Sequence, residues 1–194
     1  MSYIELIVVL SIFSVMSSVI LFNYGGFQAK VDIKNLASDV ALKVVEAQKA
    51  SLSGKFPPLA QQAGIDATWK PSYGIYINTA TDNKSIFYFV DLKNPTQNSL
   101  YDSSACPGAG ECLEKITIGK GNSMSRLDVF YQGSATANLI NDLTVSFVRP
   151  NSAAVIKSST AFSGTVSYVQ ITVTSPKLII STIKIYPSGR IQIN

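Results

Sequence analysis

The hydrophobic residues of this chain are concentrated near its N-terminus. Residues 6–22 read LIVVLSIFSVMSSVILF and contain no charged residue. As a helix, residues 4–24 would be about 31 Å long, close to the ~30 Å thickness of a bilayer's hydrocarbon core. No basic region precedes the run and no small-residue cleavage site follows it, so a secretory signal peptide is not indicated. The pattern predicts a transmembrane helix, and an ordinary membrane anchor is one interpretation of it.

A second helical pattern follows over residues 27–53. Its apolar residues recur every three or four positions, with the charged residues largely elsewhere, which predicts an amphipathic helix packed on the protein's own core. Asp39 and Lys43 have the spacing of a favourable i, i+4 ion pair, and Gly54 with Pro57 and Pro58 should end the helix. The apolar positions are Ile33, Leu36, Ala37, Val40, Val44 and Ala47.

From residue 73 onward the pattern changes to the alternation that is typical of strands. These segments are rich in Val, Ile, Thr and Tyr, and turn sequences such as residues 81–84 separate them. We expect six to nine strands in an antiparallel, β-rich globular head, with the long N-terminal helix packed on it, which is an α+β fold. The candidate strands are residues 73–78, 85–92, 115–118, 127–131, 143–148, 153–156, 166–173, 178–186 and 190–193.

These patterns divide the chain into three parts. Residues 1–24 form the hydrophobic transmembrane part of the helix, residues 25–54 its amphipathic second half, and residues 55–194 the β-rich head. The total of 194 residues fits one compact domain with an attached element. Charged residues make up 14% and hydrophobic residues 46% of the chain, which excludes a disordered protein.

The composition also argues against an enzyme. Histidine is absent, which excludes Ser/His and Cys/His catalysis and histidine-ligated metals. Two cysteines cannot supply a tetrahedral zinc site, and no phosphate-binding or dinucleotide-binding glycine pattern is present. The scattered Asp66, Asp82, Asp91 and Asp102 lack the spacing of a calcium loop. We therefore predict no catalytic residues, no metal and no cofactor.

The net charge of +4 is too small to indicate a nucleic-acid-binding protein by itself. Solvated surface charge is the default interpretation of the basic residues, and DNA binding is a weaker alternative. The basic residues that could make the head mildly positive are Lys115, Lys120, Arg126, Lys177, Lys184 and Arg190.

Glu5 is the only charged side chain in the first 29 residues. Near the start of a membrane helix such a charge costs roughly 2.5–3 kcal/mol. Its carboxylate could extend to the lipid headgroups, or it could pair with the α-amino group of Met1, about one helical turn away.

The residues around Glu5 resemble the processed, class III-type N-terminus of type IV pilins and pseudopilins. In that family a Met or aromatic residue, a small polar residue and a hydrophobic–hydrophobic–Glu–Leu sequence open the mature chain, as in residues 1–6 here. Tyr24 matches the family tyrosine after the apolar run. The resemblance covers residues 1–24, and the rest of the chain agrees only in layout. A proline that the family often has near the end of the run is missing, since the first proline is Pro57.

The resemblance implies a structural role. A prepilin peptidase would remove a leader and Met1 would be methylated. The subunit would wait in the cytoplasmic membrane until an inner-membrane assembly platform and its ATPase add it, with or without minor pilins, to a helical homopolymer. The product would be an extracellular filament at the cell surface for adhesion, twitching motility or DNA uptake. Glu5 and Met1 would act in assembly.

Two alternatives remain open. The first is a low-copy minor pilin or pseudopilin of a type II secretion or competence machine, which differs from a major pilin in copy number. The second is a membrane-anchored extracellular binding domain that keeps an uncleaved anchor. The state of the native N-terminus separates the pilin family from this second alternative.

Two further features of the helix bear on assembly. Ser11, Ser14 and Ser18 are three and four residues apart and form a small-residue stripe that would let neighbouring helices approach closely. Gly25 and Gly26 are a weak point, because glycine inside a helix costs about 1 kcal/mol relative to alanine. We expect an interruption or a bend between Ser14 and Gly26, above all in a packed filament.

Cys106 and Cys112 enclose the sequence PGAGE in the least regular part of the chain. In a protein that leaves the cytoplasm this pattern predicts a local disulfide, worth about 2–3 kcal/mol. Two free thiols or a redox pair are the alternatives, although the spacing differs from C-x-x-C. Pilin-like proteins often carry a disulfide nearer the C-terminus, so the placement is only a partial resemblance.

Overall fold

The computed structural model of this chain describes residues 2–93, 96–102, 106 and 110–194. A single long helix, α1 (Tyr3–Leu52), is followed by a short 3₁₀ helix, Leu59–Gly64. Ten strands follow in the described residues: β1 (Ser72–Asn78), β2 (Asp82–Val90), β3 (Cys112–Thr117), β4 (Ser123–Tyr131), β5 (Ala137–Ile140), β6 (Asp142–Val148), β7 (Ala154–Lys157), β8 (Val166–Thr174), β9 (Ile180–Ile185) and β10 (Ile191–Ile193).

The strands form two antiparallel sheets of five strands each. The first sheet has the order β3-β2-β1-β6-β7 and the second has the order β10-β9-β8-β4-β5. Neighbouring strands are antiparallel in both sheets. This arrangement confirms the predicted α+β class, with one long helix on a β-rich head.

The second half of α1 packs on both sheets. It contacts β1 and β6 of the first sheet and β8, β9 and β10 of the second. The predicted amphipathic face is confirmed, because its residues lie in the core and only Leu36 is partly exposed. The fully buried members of that face are Ile33, Ala37, Val40, Val44 and Ala47.

The two predicted helical segments form one uninterrupted helix of 50 residues. The predicted interruption at Gly25 and Gly26 is therefore absent in the single chain. A cost of about 1 kcal/mol per glycine is small, because each further residue of a formed helix adds a backbone hydrogen bond. The expected bend, and a break inside a packed filament, stay predictions.

The strand predictions need correction in number and in bounds. The described residues contain ten strands rather than six to nine. β5, Ala137–Ile140, was not expected because its four residues show no alternation of apolar and polar side chains. β3 and β4 begin at Cys112 and Ser123 rather than at residues 115 and 127. β9 begins at Ile180 rather than at Leu178, because Pro176 and Lys177 lie in the turn that connects it to β8.

The predicted ion pair between Asp39 and Lys43 is also replaced by other contacts. The Lys43 Nζ atom lies 2.8 Å from a carboxylate oxygen of Glu114 and 3.0 Å from one of Glu46. Glu114 lies on β3, so the lysine bridges the helix and the edge of the first sheet. Sequence spacing along one helix could not reveal this non-local partner.

Candidate functional site

The first half of α1 is exposed although it is apolar on all sides. The stretch has a mean hydropathy of 2.5 and none of it is buried in the protein, so the helix is long and apolar enough to cross a membrane. In a water-soluble protein a helix of this kind would normally be buried. Its large exposed side chains are Tyr3, Ile4, Leu6, Ile7, Val8, Val9, Leu10, Ile12, Phe13, Val15, Met16, Val19, Ile20, Leu21, Tyr24 and Phe27.

Glu5 folds back over the N-terminal end of this helix. The backbone N–H of Ser2 donates a hydrogen bond of 2.8 Å to the Glu5 Oε2 atom. A negative charge in the first turn also interacts favourably with the helix dipole. Met1 lies outside the described residues, so its predicted pairing with Glu5 and its methylation stay predictions.

The predicted serine stripe lies on the exposed part of the helix. Ser11, Ser14 and Ser18 are all exposed. The Ser11 hydroxyl donates to the Val8 carbonyl oxygen at 2.8 Å, so its polarity is satisfied inside its own helix. The stripe is therefore available to a neighbouring helix, and its role in packing stays a prediction.

Two turns of the head lie beside α1 at the end of its apolar half. We call them the base turns, residues 119–122 between β3 and β4 and residues 175–179 between β8 and β9. A Cβ atom built on Gly25 would lie 2.6 Å from the Lys177 Nζ atom. The Lys120 Nζ atom lies 2.6 Å from an Asp32 carboxylate oxygen. A glycine at position 25 therefore gives a head side chain room against the helix.

Cys106 and Cys112 form a disulfide, as predicted, with their Cα atoms 5.2 Å apart. Cys112 is the first residue of β3 and is fully buried. The bridge therefore fixes the irregular segment before β3 to the edge of the first sheet. Residues 107–109 of the enclosed sequence lie outside the described residues.

Two buried carboxylates that the sequence did not single out hold this segment in place. The backbone N–H groups of Ser99 and Asn98 donate to the Asp91 carboxylate at 2.9 and 3.3 Å. Those of Leu92 and Asp102 donate to the Glu111 carboxylate at 3.0 and 2.7 Å. Burial removes the water that would solvate the charged carboxylates, and this raises the pKa of Asp91 to about 6 and that of Glu111 to about 7. The hydrogen bonds act in the opposite direction, because they favour the charged form. No local pattern marks a buried acid, so only the fold reveals them.

The same segment covers the outer face of the first sheet. The Tyr101 ring stacks on Tyr76 and Phe87 with centroid distances of 4.8 and 5.5 Å, and meets Phe89 edge-on at 5.5 Å. By binding the backbone on both sides of Tyr101, Asp91 and Glu111 therefore hold its ring on the sheet. This arrangement is structural, since it uses the carboxylates to bind backbone amides of the same chain.

Five of the six basic residues considered for DNA binding have partners within the described part of the chain, four of them in the head and Lys120 at Asp32 of α1. Lys115 and Arg126 are paired with Asp82 and Asp128 at 3.0 and 2.7 Å. Lys184 lies over the ring of Tyr168 on β8, and Arg190 lies over the ring of Tyr186 just after β9, at 4.9 and 3.9 Å from the ring centroids. Lys120 and Lys177 lie in the base turns. The six residues are thus distributed over different contacts, and DNA binding stays an untested prediction.

Within the described part of the chain, no group of three or more His, Cys, Asp or Glu residues could hold a metal ion. Comparison with models of known protein families, with curated proteins and with solved structures finds no match for this chain. The exposed apolar half of α1, with Glu5 at its start and the base turns at its end, is therefore the candidate functional site on geometry alone.

Proposed function

We propose that this chain is a structural pilin subunit that polymerises through its N-terminal helix into an extracellular type IV pilus filament. Before assembly the apolar half of α1 holds the subunit in the cytoplasmic membrane. During assembly a membrane platform driven by an ATPase extracts it, and the helices of successive subunits bury one another in the filament core. The finer uses of such a filament, in adhesion, motility or DNA uptake, are part of the same proposal.

One observation carries the proposal. A single continuous helix has one half buried on the β-rich head and the other half exposed and apolar all round, with Glu5 as the only charged side chain before Lys30. The shape, a long apolar helix on a β-rich head with a disulfide, is compatible with that of a pilin. The resemblance of residues 1–24 to a processed pilin N-terminus supports the same assignment.

Glu5 gives the proposal its mechanism. In an apolar filament core an unpaired carboxylate would cost several kcal/mol. The α-amino group of Met1, from the same or the adjacent subunit, is the cation that the sequence places nearest. Pairing between subunits would neutralise two charges at each addition and would also fix the axial register. A subunit in the wrong register would leave both charges buried and unpaired.

The test replaces Glu5 by Gln or Ala in a strain that lacks the wild-type subunit. We expect each variant to remain folded and membrane-held but to yield far fewer sheared filaments, because the charge pair that selects the register is gone. Glu46→Gln is the matched control, since Glu46 is an exposed glutamate on the head-bound half of the same helix, and its ion pair with Lys43 lies within one subunit. Normal filament yield from both Glu5 variants would refute the mechanism.

Two measurements separate the alternatives. Mass spectrometry of the native N-terminus distinguishes a processed, methylated Met1 from the uncleaved anchor of a membrane-bound binding domain. Imaging of purified surface filaments, with identification of their main protein, distinguishes a major pilin from a low-copy minor pilin or pseudopilin.

A further inference from the structure

The base turn between β8 and β9 and the first residue of β9 expose apolar side chains that do not pack on the head. Leu178 is 84% exposed and Ile180 is 63% exposed. The turn is closed, because the Leu178 N–H donates to the Ser175 carbonyl oxygen and the Ser175 N–H to the Ile179 carbonyl oxygen, both at 2.9 Å. Leu178 has a φ of 60°, a conformation that is uncommon for a residue other than glycine, asparagine or aspartate. Leu178 is thus exposed at a backbone position where glycine, asparagine or aspartate would be less strained.

The position of this turn along α1 is defined by Gly25. The Lys177 Nζ atom lies where a side chain at Gly25 would begin. The apolar stretch before Gly25, residues 3–24, is about 33 Å long as a helix, against ~30 Å for the hydrocarbon core of a bilayer. The turn therefore lies within the reach of one lysine side chain of the level where the helix would leave the hydrocarbon core.

The aromatic residues of the helix agree with that level. Tyr24 and Phe27 are 61% and 66% exposed. Tyrosine is enriched at the interface between membrane and water, where its ring is in contact with lipid and its hydroxyl with water. The helix segment against which Lys177 lies is therefore itself suited to the interface.

The charge around this level is positive. Residues 25–35 of α1 and the two base turns contain four lysines, Lys30, Lys34, Lys120 and Lys177, and one acidic residue, Asp32. Asp32 is already bound by Lys120. Basic residues beside a membrane span are attracted to anionic lipid headgroups.

From these observations we propose that the β8–β9 base turn, together with Ile180 at the start of β9, is a second membrane contact of the unassembled subunit. Leu178 and Ile180 enter the interfacial layer of the bilayer, and Lys177 binds anionic lipid headgroups. The inference rests on the proposed function, because it requires the apolar half of α1 to span the membrane. With two points of attachment the head has a fixed orientation on the membrane, and extraction into a filament must break the contact of the turn as well as remove the helix.

The experiment uses the full chain in vesicles of phosphatidylcholine with a minority of phosphatidylglycerol. A spin label is attached to Leu178→Cys under non-reducing conditions, and its collisions with oxygen and with a water-soluble nickel complex are compared. Leu59→Cys is the matched control, since Leu59 is also 84% exposed but lies beyond the opposite end of α1. We expect the label at position 178 to collide mainly with oxygen and the label at position 59 mainly with nickel.

Two results would overturn the inference. One is an aqueous label at position 178 that behaves like the label at position 59, while the protein resists carbonate extraction from the vesicles. The other is protection of position 178 that appears only at high protein-to-lipid ratio, which would make a second copy the occupant. If the chain is instead extracted by carbonate, the proposed function itself fails, so the two failures are distinguishable.

Substitutions test the two components of the contact. Lys177→Gln should lower the ratio of lipid-contacting to aqueous label about fivefold in anionic vesicles, and Lys49→Gln, an exposed lysine in the last turn of α1, should not. Leu178→Asn keeps the turn, because asparagine tolerates a positive φ, and should leave a label at Ile180→Cys aqueous. An unchanged ratio in Lys177→Gln would overturn the assignment of headgroup binding to this lysine.

Discussion

The two halves of α1 are continuous in backbone but opposite in surroundings. In the first half Val8 and Ile12 are about half exposed, at 49% and 53%, whereas Val40 and Val44 in the second half are at most 1% exposed. The second half has one apolar stripe, and the two sheets cover it. The first half is apolar on nearly every side, with the serine stripe as its most polar side and no charged residue between Glu5 and Lys30, so no rotation of the helix could place a charged face toward water.

This difference shows why the two halves need different partners. The apolar stripe of the second half is satisfied inside one molecule, so it contributes to the stability of the head. The first half requires a surrounding that is apolar in all directions, which a bilayer provides and which a bundle of identical helices provides as well. In the proposed function the first half of α1 moves from the bilayer into such a bundle of helices.

The largest expected difference in stability is between two Ile→Ala substitutions, one in each half of α1. Ile33→Ala removes a fully buried side chain and should lower the free energy of unfolding of the head by about 2–5 kcal/mol. Ile12→Ala removes an exposed one and should change it by less than about 0.5 kcal/mol. Urea unfolding of the full chain in detergent micelles, followed by the fluorescence of the buried Trp69, measures both.

Equal losses in the two variants would contradict the comparison, since they would mean that the apolar half also packs on the head. Membrane retention of the two variants is the complementary measurement. It should be unchanged in both, because a single alanine leaves the apolar stretch long enough to span a bilayer.

A pair of serines gives the next largest effect. The Ser51 hydroxyl is buried, donates to the Phe147 carbonyl oxygen at 2.6 Å and accepts from the Tyr73 N–H at 2.9 Å. Ser51→Ala removes both of these buried hydrogen bonds and should cost about 1–3 kcal/mol. Ser18→Ala, on the exposed half, should leave head stability unchanged in the same unfolding assay. A loss below about 0.5 kcal/mol for Ser51→Ala would show that the end of α1 is not fixed to the sheets by this contact.

The contrast between the halves of α1 was largely readable from sequence. Periodicity identified Ile33, Val40 and Val44 as core residues, because a helical stripe repeats locally. Most strands followed from their alternation for the same reason. β5 was not predicted, since a strand of four residues is too short to show a clear alternation of apolar and polar side chains.

Features that depend on contacts distant in sequence could not be read in this way. The partner of Lys43 on β3, the hydrogen bonds of Ser51 and the buried carboxylates of Asp91 and Glu111 arise only when the sheets are assembled. The position of Lys177 against Gly25 is of the same kind. Glu5 and the disulfide were found because their signals, a charge in an apolar run and two cysteines in an irregular loop, are local.

The head should also have a pH response that the apolar half does not share. The pKa of Asp91 is raised from 3.8 to about 6 and that of Glu111 from 4.5 to about 7, so the folded state binds protons that the unfolded state has already lost. Head stability should therefore fall by about 1–2 kcal/mol as pH rises from 4.5 toward 7. Membrane retention should stay constant over the same range.

The variants Asp91→Asn and Glu111→Gln check this assignment by urea unfolding across that range. Both should be less stable than the wild type, because an amide group now faces a backbone N–H donor, but their stability should depend less on pH. Asp39→Asn, an exposed aspartate of α1, is the control and should keep the wild-type slope. An undiminished slope in both buried variants would assign the pH response to other groups.

The smallest expected effect lies at the junction of the two halves. A Cβ atom on Gly26 would meet nothing within 4 Å, whereas one on Gly25 would displace the flexible end of Lys177. Gly26→Ala should therefore stabilise the helix locally by about 1 kcal/mol, seen as roughly fivefold slower amide exchange around the junction, with a smaller gain for Gly25→Ala. Head unfolding should not change, and faster exchange in Gly26→Ala would contradict the continuous helix.

The same variant tests the filament. If α1 must open near Gly26 during packing, stiffening the helix should lower filament yield. An unchanged yield would show that the helix enters the filament unbroken.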